Sequence, residues 1–123
     1  MSAIIAPKGS PLNTAIIGVE NLDQSIEFYR DLIGLSVSDP FDWRGKDFED
    51  IWHLPSGSHA TGSFCELKGC NAGRVLLLDF KAENKKLIRP KDTSRAYGLF
   101  NLNFYTDDIE SDTKKFESKG YRC

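Results

Sequence analysis

The sequence predicts an α+β fold, a β-α-β-β-β module followed by the opening of a second one. Three observations carry that prediction. Residues Thr14–Leu35 read as a strand, a capped amphipathic helix and a stop. A fainter copy of the same pattern closes the chain at a constant offset of 87 residues, from Thr14 with Asn101 to Tyr29 with Phe116. Between them, Arg74–Phe80 (RVLLLDF) is an apolar run of strand length bounded by glycine-containing turn residues.

In the opening unit, Thr14–Val19 is short, apolar and β-branched, which suits a half-buried strand. Asn21 offers a side-chain oxygen to the orphan amides of a helix start, and Gln24 follows three residues on, as in a capping box. Leu22, Ile26, Tyr29 and Ile33 recur at helical spacing and define one apolar face. Gly34 stands where a left-handed C-terminal cap favours a residue without Cβ. In the copy, Asn101–Thr106 alternates polar and apolar, Asp108 takes the capping position, Ile109, Thr113 and Phe116 form the helical stripe, and Gly120 ends it.

The rest of the chain fits around these units. Residues 1–12 form an arm broken by Pro7, Gly9 and Pro11. Leu35–Ser38 is expected as a second strand. The stretch from Asp39 to Gly62 lacks a clear period, although Phe48–Leu54 could form a short helix that Pro55 stops. Ser63–Lys68 is expected as a third strand and Arg74–Phe80 as a fourth. The expected organisation is one domain: a first module over 13–80, a charged connector over 81–98, and the start of a second module over 99–123. A complete second module would need roughly 30 further residues.

Composition narrows the function classes. A net charge of −2 gives no basic patch for nucleic acid or a membrane surface. No apolar run approaches membrane-spanning length, and MSAIIAPKGSP lacks the basic start and apolar core of a signal peptide. The three cysteines, Cys65, Cys70 and Cys123, are odd in number and lack metal-ligand spacing, so free thiols in a reducing cytoplasm are expected.

Strand, DxxxSxxFYxxxLGL-like helix, further strands and a repeat together resemble the vicinal oxygen chelate superfamily of glyoxalases, bleomycin resistance proteins and extradiol dioxygenases. The residues that carry the resemblance are Val19–Leu22, Ser25, Phe28–Asp31 and Ile33–Leu35, then Ile51-Trp52 with Leu54-Pro55, Leu78–Phe80, Gly98–Phe100 and Asp107–Ile109. It implies a glyoxalase-like cup of mixed sheet with helices outside, holding a small molecule. It also allows a divalent metal as cofactor, bound by residues of the first and fourth strands of each module. Those positions map to Thr14, Asp79 and Asn101, where a hydroxyl, a short carboxylate and a carboxamide replace the stronger imidazole and glutamate donors.

Strand alternation puts Thr14, Ile16 and Gly18 on one face, and Asn101, Asn103 and Tyr105 on the matching face of the copy. Under the resemblance these line the cup, with Asp79 and Trp52 as further ligand-binding candidates. The plainer alternative is a polar sheet face that meets water. Asp79 reads either as a relict ligand or general base, or as the exposed end of its strand. Trp43 and Trp52 read as a lid or as core cover, and His53 and His59, both between strands, as a metal-ligating pair or, more plainly, as exposed or partly packed residues. Cys65 reads as an inert thiol rather than a nucleophile.

The function expected is small-molecule binding without a competent metal site, with a metal-dependent lyase, isomerase or ring-cleaving dioxygenase as the alternative. An unpaired strand edge in the copy further suggests a homodimer.

Overall fold

A computed structural model of the chain describes Gly9, residues 11–82 and residues 101–123. It divides into two compact units, residues 1–81 and 82–123, each described by itself.

The first unit opens with β1 (Thr14–Gly18) and α1 (Leu22–Glu27), which continues as a π-helical segment over Phe28–Ile33. Asn21 caps α1 as expected, its side-chain oxygen accepting the Gln24 N–H at 3.0 Å. Gly34 closes the helix at φ 88, a conformation open to glycine at no steric cost, and its N–H bonds the Tyr29 carbonyl. There follow β2 (Ser36–Val37), β3 (Phe41–Arg44), α2 (Lys46–Trp52), β4 (His59–Glu66) and β5 (Arg74–Lys81).

The strands form one mixed sheet in the order β1-β5-β4-β2, with β3 also pairing to β4. Among the described residues the β1–β5 contact is parallel and the other three are antiparallel. The crossover from β1 through the later elements to a parallel β5 is what places α1 against the sheet. β5 lies between two neighbours and is buried from Val75 to Asp79, which explains its continuous apolar sequence.

The core sits on both sides of that sheet. On one side, hereafter the α2 face, Phe48 of α2 packs on Ala60, Leu76 and Leu78, flanked by Phe41, Trp43, Trp52, Leu54, Phe64 and Phe80. On the other, the α1 face, Leu22, Ile26 and Leu32 are buried, as are the sheet residues Cys65, Val75 and Leu77. Trp43 stands edge-on to Phe48 and to Trp52, and Trp52 edge-on to Phe80, so both tryptophans serve the core.

Several sequence expectations change here. The expected second strand shrinks to two residues, and the third starts four residues earlier, at His59. The aperiodic stretch contains β3, whose Phe41 and Trp43 face the core while Asp42 and Arg44 are exposed. α2 begins at Lys46 rather than Phe48. It is ended by His53 in the left-handed conformation (φ 51), whose N–H reaches the Glu49 carbonyl, two residues before Pro55.

In the second unit, α3 spans Ile109–Ser118 and is capped by Asp108, whose carboxylate accepts the Ser111 N–H at 3.0 Å. Gly120 follows at φ 88. The expected strand over Asn101–Thr106 is not formed. Among the described residues no strand pairs with it. No helix among the described residues is long and apolar enough to cross a membrane.

Candidate functional site

The register of β1 on β5 fixes which predicted residues can meet. Thr14 stands opposite Arg74, Ile16 opposite Leu76 and Gly18 opposite Leu78. Paired residues share a face, and alternate residues along a strand return to it. Thr14, Ile16 and Gly18 therefore lie on the α2 face with Arg74, Leu76, Leu78 and Phe80. Asp79 lies on the opposite face, paired with Thr61. The expectation that Thr14 and Asp79 share one hollow is corrected: the sheet itself separates them.

Asp79 is not a strand end in water either, since it is only 6 % exposed. Its carboxylate accepts the Lys81 ammonium at 2.6 Å. It forms part of the floor of a polar cleft of about 380 Å³ beside the start of α1, lined also by Glu20, Asn21, Leu22, Asp23, Pro40, Thr61 and Lys81. The pairings of β3, β4 and β5 extend this polar surface into two rows, Asp42–Thr61–Asp79 and Arg44–His59–Lys81. His59 Nδ1 lies 2.8 Å from the Asp42 carboxylate, which also accepts from Arg44. The hydrogen bonds from Arg44 and His59 hold the Asp42 carboxyl below the usual aspartate range. Neither Asp42 nor Arg44 stood out in the sequence, although the alternation of FDWR contains the signal.

The α2 face is different in character. Ile16 is 46 % exposed on the strand that ends the sheet order, beside the buried Leu76. Among the described residues, the charged side chains that the strands place on this face are Arg74 and Glu66. The Arg74 guanidinium carbon lies 4.4 Å from the Phe64 ring centre, and its Nε is 3.1 Å from the Glu66 carboxylate. Trp52 packs into the aromatic cluster, so its contribution to this face is its ring rather than an open lid.

The metal set implied by resemblance fails a test of fit. Thr14 and Asp79 point to opposite faces, the Thr14 hydroxyl donates to the Asn13 side chain at 2.6 Å, and Asp79 is held by an ammonium. Asn101 lies in the second unit, exposed, as are Asn103 and Tyr105, and without a strand their expected shared face is not established. Among the described residues no three His, Cys, Asp or Glu side chains converge as ligands would. Cys65 is no better placed as a nucleophile: burial pushes its thiol up to about 11 and keeps it neutral.

Comparison with known proteins agrees with this architecture. The sequence model of the Glyoxalase/Bleomycin resistance protein/Dioxygenase superfamily matches residues 12–123. The fold is similar to that of a glyoxalase family protein from Bacillus cereus, with a TM-score of 0.79 and 20% identity over 96% of this chain and 77% of that one. It is also similar to the protein SMU.1112c, with a TM-score of 0.57 and 19% identity over 94% of this chain and 78% of that one. No curated protein is significantly similar to the chain. The parallel β1–β5 pair, the helix between them and the family match thus agree: this chain belongs to the glyoxalase/bleomycin resistance protein/dioxygenase superfamily.

Proposed function

We propose that the chain is a small-molecule-binding member of its superfamily, that its ligand lies on the α2 face of the sheet, and that no ion held by Thr14, Asp79 and Asn101 takes part. The observation that carries this reading is the β1–β5 register. It assigns Ile16, Leu76, Leu78 and Phe80 to one face with Thr14, and removes Asp79 to the other. Phe48 already covers Leu76 and Leu78, so the apolar surface offered to a ligand is that around the exposed Ile16, and each Å² of it removed from water contributes about 25 cal/mol.

The neutral dye N-phenylnaphthylamine tests the reading. Its fluorescence should rise saturably with about one equivalent of protein, and a chelator should leave the curve unchanged. Ile16→Glu, which puts a charge on the apolar face, should weaken binding about tenfold. Dependence on an added divalent ion, or an Ile16→Glu protein that binds as well as the parent, would sink the reading.

A cytoplasmic homodimer completes the proposal. β1 ends the sheet order, so one side of its backbone is open to a further strand among the described residues of its unit. Sedimentation equilibrium at micromolar concentration should give twice the chain mass of 13.8 kDa, and a stable monomer would count against it.

A further inference from the structure

We infer that the α2 face selects planar apolar molecules carrying one anionic group, with Arg74 as the anchor for that group. This rests on the reading that the α2 face binds the ligand. Across a face built of Ile16, Phe64, Leu76 and aromatic neighbours, Arg74 is the one cation that the strands supply among the described residues. Its guanidinium carbon lies 4.4 Å from the Phe64 ring centre, so contact with the ring holds the cation over this face before any ligand arrives.

The Glu66 carboxylate lies 3.1 Å from Nε without the geometry of a hydrogen bond, so among the described residues the fork keeps donors for a carboxylate or sulfonate. The glutamate side chain is 44% exposed, and a solvated partner of that kind holds the arginine weakly. Thr14 lies directly opposite Arg74 on β1, and Ile16, two residues along, gives an exposed apolar step beside the cation. A ring resting on Ile16 therefore brings its acidic substituent to the guanidinium. Glu66 acts as a gate on specificity: it repels an anion that lacks the apolar surface to offset the repulsion.

Two related dyes separate the terms: anilinonaphthalene sulfonate, and N-phenylnaphthylamine, which has the same rings without the charge. At low ionic strength the parent protein should bind the sulfonate more tightly than the neutral dye. Arg74→Met should weaken the sulfonate about tenfold, the worth of one charge-assisted hydrogen bond, and weaken the neutral dye far less. Glu66→Gln, which keeps the shape of the side chain, should tighten the sulfonate alone, so the test does not depend on Arg74→Met folding well. Equal affinity for both dyes in the parent, or a preference for the sulfonate that survives Arg74→Met or is unmoved by Glu66→Gln, overturns the anchor while leaving the binding face standing. Failure of both dyes to bind overturns the binding face and the anchor together.

Discussion

Phe48→Ala is expected to destabilise the chain by about 3 to 5 kcal/mol, enough to remove a large part of the stability of a domain this size. Phe48 is fully buried, the deepest side chain that α2 sends into the core, with Trp52 packed beside it. It meets Ala60, Leu76 and Leu78 across the sheet and lies 5.2 Å from Trp43 and 5.9 Å from Phe80 between ring centres. Alanine would leave a void that these neighbours cannot fill, because Leu76 and Leu78 are fixed in the central strand. The same change also loosens the packing of Trp43 and Trp52. Urea unfolding followed by tryptophan fluorescence should show the lowered midpoint, and a loss below about 1 kcal/mol would mean that α2 does not close the core.

Gly62→Ala is the second large effect, expected to cost about 1 to 3 kcal/mol although it adds one carbon. A Cβ at this position would stand 2.7 Å from Leu78 Cδ2, 2.9 Å from the Leu77 carbonyl oxygen and 3.1 Å from Phe41 Cζ. The leucine and phenylalanine could turn aside, but the backbone oxygen belongs to the β4–β5 ladder and cannot retreat without breaking it. Gly18→Ala is the matched control on the same face. Its new carbon would meet only Phe80, at 3.8 Å, an ordinary contact, so its effect should stay within about 0.5 kcal/mol. Thermal unfolding of the two variants side by side tests the contrast; similar melting temperatures would contradict it.

The fold was legible wherever a local signal coincided with a packed face. Asn21, Leu22, Ile26 and Gly34 announce a capped helix from their own residue types, and each has that role. RVLLLDF announces a strand because burial on both faces leaves no polar residue until Asp79. β3 was illegible for the opposite reason: four residues between Pro40 and Gly45 hold only two alternations, too few to rise above the surrounding loop. NLNFYT shows the converse failure, since alternation alone does not make a strand and among the described residues none pairs with it.

For the candidate site the limiting fact was parity. Strand alternation correctly groups Thr14 with Ile16, but the face of Asp79 relative to Thr14 depends on how β1 aligns with β5. That alignment is a tertiary fact: shifting it by one residue would reverse the answer. Arg74 does not stand out in the sequence for the same reason: the residues it contacts, Phe64 and Glu66, both lie on a different strand.

The wide turns over Phe28–Ile33 have a consequence for how the gene can change. Each residue of an ordinary helix advances the side chains by about 100°, so the chain leaves this segment at an angle set by the number of residues wound into it. Deleting one residue here would swing Leu32 off the sheet and misdirect β2, whose Ser36 and Val37 must meet Glu66 and Cys65. Substitutions that keep the spacing should be absorbed far more readily, so lineages of this protein are expected to drift in letter but not in length between Glu27 and Gly34.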